Sequence, residues 1–333
     1  MMLNNNVNII ADIGGTNMRV AIAGEHGDIS AIEIYACADY AGLAEVLNNF
    51  IEKHQLHNKD ISACLAIACP VDKDLIVMTN LPWQFSQQAL KAQLQLHELV
   101  LINDFTAIAH AIPQLTDSQK VQIGIGEVIA DKPISICGPG TGLGVANLVA
   151  LNHGWLSLSG EGGHVDFAPV DQQEAEILNF LNTKYVRVSY EQLLSGLGLE
   201  QIYQALSFIK NGVASELPAK EITARGLANT CELCAETIAQ FCRVLGSFAG
   251  NLALTLGSYG GVYIAGGIVP RFIEYFENSD FRTRFEAKGR MSGFNQPIAT
   301  FVVTEEQPGL MGAAAYLRQL NSVENITTST KEY

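Results

Sequence analysis

The chain has 333 residues, of which 48% are hydrophobic and 16% charged, and its net charge is −14. That length suits two domains with a core each, and the balance is that of a globular chain rather than a disordered one. The acidic excess, with no basic stretch, argues against a nucleic-acid partner. The N-terminal apolar run is too short for a signal peptide or a membrane span, so the expected location is cytoplasmic and no membrane partner is expected.

The first apolar run, Val7 to Ile13, reads as a buried strand and runs into Ala11-Asp12-Ile13-Gly14-Gly15-Thr16-Asn17. Glycines at such a position let backbone N–H groups approach an anion. Met18 to Ala23 then alternates apolar with small or polar residues, so the loop is the tip of a β-hairpin and not the start of a helix. A dinucleotide fold needs the helix, and a P-loop needs a lysine and wider glycine spacing. Both readings are disfavoured.

Further strands are expected near 29–36 and 61–69, with 74–79 as a candidate companion, and a helix near 42–56. Asn80-Leu81-Pro82-Trp83 is a turn with a half-buried indole or one wall of a ligand pocket. Ser86 caps a helix near 86–96. Leu99-Val100-Leu101-Ile102 forms a strand at 98–103 that ends on Asn103-Asp104. A carboxylate there sits where open α/β sheets place ligands, yet Asp104 would also serve as the N-cap of the next helix.

From about Val121 the order restarts, with strands near 121–125, 134–138 and 143–151. The second glycine loop, Gly138-Pro139-Gly140-Thr141-Gly142-Leu143-Gly144, lies among them. Two such loops, opening the two halves, suggest a duplicated fold closing on a polyphosphate. Glu161-Gly162-Gly163-His164 with Asp166 is a polar cluster on flexible backbone, suited to hydroxyl recognition or, as the plainer alternative, a polar turn. Helices follow near 172–184, 199–209 and 219–257, then a strand at 260–266 ending on Gly266-Gly267, with Pro270-Arg271 opening a helix. A strand near 298–303 and a helix from Gly309 to Leu320, expected to pack on the first domain, complete the chain. The polar residues from Asn321 onward read as a frayed tail.

Seven cysteines fall mostly in apolar runs, as Cys64, Cys69, Cys137 and Cys242 do, and read as small core residues. Cys231-x-x-Cys234 invites a redox or metal reading. Both cysteines fit a three-to-four apolar spacing from Leu227 to Leu256, which places them on a helix stripe, and no second Cys or His pair stands near to complete a zinc site.

Taken together, these motifs resemble the bacterial glucokinases of the hexokinase, actin and Hsp70 superfamily. The likeness runs from about residue 7 to 320. It rests on Ala11–Asn17, Asn80–Trp83, Asn103-Asp104-Phe105, Gly138–Ala146, Glu161–Pro169, Ser195-Gly196-Leu197-Gly198, Val262–Arg271 and Gly309–Ala313, in family order. It implies two ribonuclease-H-like, actin-like ATPase domains, each an α/β unit of mixed sheet and flanking helices, with a cleft between them. The small domain would comprise 1–114 with the C-terminal helix 305–321, the large domain 115–304, and 322–333 a disordered tail.

The implied activity is transfer of the γ-phosphoryl of ATP to the 6-hydroxyl of glucose. Asp104 matches the catalytic carboxylate, and Asn103, Glu161, His164 and Glu191 match residues that bind the other hydroxyls. The nucleotide would be held by Ala11, Asp12, Ile13, Gly14, Gly15, Thr16 and Asn17, by Gly138, Gly140, Thr141, Gly142 and Gly144, and by Gly266 and Gly267. Asp12 would lie near Mg²⁺ through phosphate oxygens and water. A homodimer is expected on the same ground. The chain lacks the zinc motif and the N-terminal helix-turn-helix of regulatory and N-acetyl-sugar relatives, so no structural zinc is expected. The alternatives are a kinase for another hexose and a sugar-responsive protein without turnover; a nucleotide-driven filament protein would need no such pocket.

Overall fold

A computed structural model of the chain describes residues 6–24 and 26–329. It divides into two compact units, one of Met1–Leu115, Leu151–Ser159 and Glu305–Tyr333, the other of Thr116–Ala150 and Gly160–Thr304.

The first unit holds β1 (Asn6–Ile13), β2 (Asn17–Ala23), β3 (Ile29–Ala36), α1 (Leu43–Lys53), β4 (Asp60–Ile67), the short β5 (Leu75–Val77) and β6 (Gln84–Ser86), α2 (Gln87–Gln93), β7 (Glu98–Asn103) and α3 (Asp104–Ala111). Five strands form a sheet in the order β3-β2-β1-β4-β7. β1 is antiparallel to β2 and parallel to β4, and β4 is parallel to β7. The central strands carry continuously buried apolar runs, Ile9 to Ala11 in β1 and Ala63 to Ile67 in β4, because both of their faces are covered. On one face Ile9, Ile13, Met18 and Leu65 pack with Leu47 and Phe50 of α1. On the other, Ile10, Ala21, Cys64 and Ile102 meet Ala107 of α3 and Leu310, Ala313 and Leu317 of the C-terminal helix.

The chain continues with β8 (Lys120–Gln122), β9 (Ile134–Pro139), β10 (Leu143–Leu151), β11 (Gly154–Gly160), α4 (Gln172–Leu181), α5 (Gly196–Asn211), α6 (Ala219–Leu227), α7 (Glu232–Leu256), β12 (Val262–Ile264), α8 (Ile273–Glu277), α9 (Phe281–Glu286), α10 (Ser292–Asn295) and β13 (Thr300–Val303); β11 falls almost wholly within the first unit's Leu151–Ser159, and the others belong, but for Leu151, to the second unit. A six-stranded sheet runs β11-β10-β9-β12-β13-β8. Around the hairpin the pairing repeats that of the first sheet: β9 is antiparallel to β10 and parallel to β12, which is parallel to β13. Ile238, Phe241, Leu245 and Phe248 of α7 form the centre of its core with Phe281 and Phe285 of α9. The long α7 has apolar residues along most of its length because helices and sheet surround it.

Three expectations need correction. The helix expected over 219–257 is two helices, broken where Asn229 takes a left-handed φ of 54° and Cys231 becomes the N-cap of α7. Short polar side chains such as asparagine tolerate that conformation, so the turn forms inside an otherwise unbroken apolar spacing. A strand, β11, stands where no element was expected. The C-terminal helix, α11 (Pro308–Ser329), runs beyond Leu320 and through most of the segment expected to fray. No glycine or proline after Gly312 interrupts it; residues 330–333 lie outside the described residues.

Candidate active site

The first glycine loop is a hairpin tip, as its flanking alternation predicts. Asp12 pairs with Arg19 and Ile13 with Met18 across β1 and β2, and the Gly14 N–H donates to the Asn17 carbonyl at 3.1 Å. Gly15, Thr16 and Asn17 are exposed at the tip, and the Thr16 carbonyl is tied back by the Cys37 N–H at 2.9 Å. Asn80 packs on this tip. A β-carbon on Gly15 would stand 2.9 Å from Cβ of Asn80, so the turn after β5 and the loop touch only because Gly15 has no side chain. Trp83 of the same turn is buried in the core, more deeply than the half-buried indole expected.

Asp12 and Asp104 share the carboxyl edge of this sheet. Asp12 aligns with Ala66 on β4, and the next residue, Ile67, aligns with Asn103 on β7. One strand separates the two acidic positions, or about 10 Å at the usual strand spacing. Burial pushes the Asp12 carboxyl up to about 6; Arg19 opposes the shift and the negative charge of Asp104 adds to it. The start of α11 closes on the same carboxylate, since a β-carbon on Gly309 would lie 2.7 Å from its Cγ.

The choice left open for Asp104 is settled in favour of its neighbour as the cap. Asn103 is the N-cap of α3, and its Oδ1 accepts the Phe105 N–H at 2.9 Å. Asp104 is the first helical residue; one carboxylate oxygen also accepts that N–H at 3.0 Å. The sequence therefore holds Asp104 on rigid backbone at a strand-to-helix junction.

In the second unit the β9–β10 hairpin carries the other glycine loop, with Gly138 opposite Gly144 and the Gly140 N–H donating to the Gly142 carbonyl at 2.8 Å. Three elements converge on it. The Gly196 N–H, at the start of α5, donates to the Gly140 carbonyl at 2.9 Å. Glu191 Oε2 accepts the Leu143 N–H at 3.0 Å, and a β-carbon on Gly142 would stand 2.5 Å from that same oxygen. Gly266, with φ of 91°, lies where a β-carbon would be 2.7 Å from the Pro139 carbonyl oxygen.

Glu191 also faces the third motif, its Oε1 being 3.7 Å from Nδ1 of His164. The turn that presents His164 presses against β10 so closely that a β-carbon on Gly163 would overlap the Leu143 carbonyl. Glu161 and His164 are exposed there, while Asp166 is paired with Arg187 and so is taken out of the polar cluster.

Within the first unit the structure brings together residues 12–17 and 103–104, and within the second 138–144, 161–164, 191 and 266. Gly267 follows Gly266 without a close contact of its own. Sequence reading gave no role to Gly196 or Gly309, although both lie in motifs it singled out, and gave Asn80 only as part of a turn or a pocket wall. Among the described residues no group of three or more His, Cys, Asp or Glu could hold a metal ion. A site with one or two carboxylates is nonetheless what Mg²⁺ uses when substrate phosphates and water complete its shell. The partly enclosed Asp12 carboxylate fits that arrangement. No helix among the described residues is long and apolar enough to cross a membrane.

Comparison with known proteins agrees with these motifs. The glucokinase family model matches residues 9–320. A glucokinase of Colwellia psychrerythraea is 59% identical over 319 residues, covering 94% of this chain and 97% of that one. The crystal structure of a glucokinase from an Antarctic psychrotroph superposes with a TM-score of 0.86 at 36% identity, over 93% of this chain and 98% of that one. At 21% identity, a Balamuthia mandrillaris glucokinase solved with glucose shares the fold, with a TM-score of 0.75 over 94% of each chain.

Proposed function

Because the chain belongs to the glucokinase family, we propose that it transfers the γ-phosphoryl group of ATP to the 6-hydroxyl of glucose, and that Asp104 is the group that activates this hydroxyl. The observation that carries the reading is the pair of acidic positions on one sheet edge, with an exposed glycine hairpin beside them and a carboxylate fixed at the first turn of α3. Each sheet with its covering helices is read as one ribonuclease-H-like half of a sugar kinase.

Phosphoryl transfer needs little covalent chemistry from the protein; position and charge neutralisation supply most of the rate. Asp104 orients the sugar hydroxyl in line and accepts its proton as the new O–P bond forms. Asn103, held by its capping bond, presents its amide to a neighbouring hydroxyl. Glu161, His164 and Glu191 bond the remaining hydroxyls. A site built from such groups rejects a sugar that leaves them unpaired. Backbone N–H groups of the two hairpin loops, other than those of Gly14, Gly140 and Leu143 that are bonded within the protein, bind phosphate oxygens, and Gly266-Gly267 gives the nucleoside close backbone approach. When bound with the nucleotide, Mg²⁺ neutralises phosphate charge, and Asp12 would hold it through water and phosphate oxygens. The family resemblance also supports a cytoplasmic homodimer.

A coupled assay for glucose 6-phosphate tests the reading directly. ATP with Mg²⁺ should give turnover on glucose, exceeding that on mannose, fructose or N-acetylglucosamine. Faster turnover on one of those sugars would reassign the substrate, and nucleotide and glucose binding without product would mark a binding protein.

A further inference from the structure

Cys231 stands apart from the other six cysteines. All the others are buried, whereas Cys231 is partly exposed. The break between α6 and α7 is what exposes it: Cys231 becomes the N-cap of a 25-residue helix, and its sulfur accepts the Cys234 N–H at 3.4 Å. Cys234 sits three residues on in the first turn, buried, with Gly226 of α6 packed on its carbonyl. The bond from the Cys234 N–H seats the Cys231 sulfur against the first turn of α7, beside the residue that carries the second thiol.

We propose that Cys231 and Cys234 form a dithiol site that exchanges with low-molecular-weight disulfides and closes to an intramolecular disulfide. Residues three apart on a helical turn lie close enough for the bond to form with a local adjustment at the cap. The order of events follows from the two environments. The adjoining Cys234 thiol and the Cys234 backbone N–H lower the Cys231 pKa, while burial pushes Cys234 up to about 12. A thiolate at a helix N-terminus is the nucleophile; a buried thiol is the resolving partner.

In the first step Cys231 thiolate attacks one sulfur of the small disulfide, forming a mixed disulfide and releasing one thiolate, which takes a proton from water. In the second, Cys234 gives up its proton to solvent and its sulfur attacks Cys231, releasing the second thiol. The chain loses two electrons, and the small disulfide gains them as two thiols. Burial pushes the Cys64, Cys137 and Cys242 thiols far up and raises those of Cys37 and Cys69, so none of these competes.

The test is thiol mapping by mass spectrometry of the full chain after incubation with oxidised glutathione and acid quenching. Two thiols should disappear, linked within the peptide that holds both cysteines, and dithiothreitol should restore them. Cys234→Ala should keep glutathione on Cys231, and Cys231→Ala should leave Cys234 reduced with kinase turnover unchanged as the folding control. In the unmodified chain, alkylation of Cys231 should outpace that of the buried cysteines by at least about tenfold. Persistence of all thiols in the unmodified chain, or glutathione on Cys234 in the Cys231→Ala chain, overturns the proposal. Should Cys234→Ala fail to fold, the other two arms decide it.

Discussion

Gly312 of α11 lies so close to Ala107 of α3 that a β-carbon there would overlap the Ala107 carbonyl oxygen. The two helices touch backbone to backbone, three residues along from Asp104. What holds the acidic group in place is therefore a missing side chain on another helix.

Gly312→Ala should move α3, because overlap with a backbone carbonyl cannot be relieved by a rotamer change. We expect a loss of about 1–3 kcal/mol of stability, typical of overpacking, together with a fall in kcat that exceeds any rise in KM for ATP. Thermal melts and steady-state kinetics on one preparation check both. An unchanged kcat in a destabilised protein would separate the helix contact from the placement of Asp104.

Asp12 should trade stability for function. Its folded pKa, about 6 against 3.8 for the free group, lies above the unfolded value. Its contribution is therefore complete below about pH 4 and is lost as pH rises through 6, costing on the order of 2–3 kcal/mol at neutrality. Asp12→Asn should raise Tm at pH 7 and flatten the pH dependence of stability between 4 and 6, while turnover collapses. A lower Tm in the variant would mean that Arg19 stabilises the ionised carboxylate more than burial penalises it.

His110 gives the opposite slope. It is buried on α3, its ring edge-on to Tyr316 of α11, with no partner at Nε2, and burial pulls its pKa down to about 4. The neutral ring contributes fully above about pH 6.5, and that stability, at most roughly 3 kcal/mol, is lost as pH falls from 6.5 toward 4. Chemical denaturation across that range should show the decline. His110→Phe should remove it, and an equally steep decline in the variant would assign the effect to other groups.

Glu191 should matter to both substrates, since one oxygen holds the Leu143 N–H of the glycine loop and the other faces His164. Glu191→Ala should raise KM for glucose and for ATP together, about tenfold or more each, whereas His164→Ala should act mainly on glucose. Gly142→Ala, whose β-carbon would meet Glu191, should reproduce the double effect in milder form. If Glu191→Ala leaves KM for ATP untouched, the tie to Leu143 has no functional weight.

Much of this was legible in the chain because local chemistry dictated it. The hairpin loops follow from alternation after a glycine turn, Ser86 caps α2 as expected, and strands β3 and β7 fall where their apolar patterns place them. The failures have physical causes too. The break at Asn229 lies inside a continuous apolar stripe, so periodicity passes over it, and only the Asn-Thr pair hints at a turn. Strand β11 does alternate, but Leu156 and Leu158 point outward, 48% and 39% exposed, which removes the usual sign of a buried face. The bond from Leu143 to Glu191 spans 48 residues, and the crowding of Asp12 by Gly309 spans nearly the whole chain. Contacts of that kind belong to packing and leave no local pattern to read.

The central claim is that Asp104 takes the proton from the sugar hydroxyl, and the most direct measurement is the kcat of Asp104→Asn. The side-chain shape and the bond from Phe105 can survive that change, but the base cannot. A fall of about 10²–10⁴ in kcat, the usual worth of a general base, with glucose and ATP still binding by calorimetry, is the predicted result. Turnover within about threefold of the unmodified chain would contradict the account.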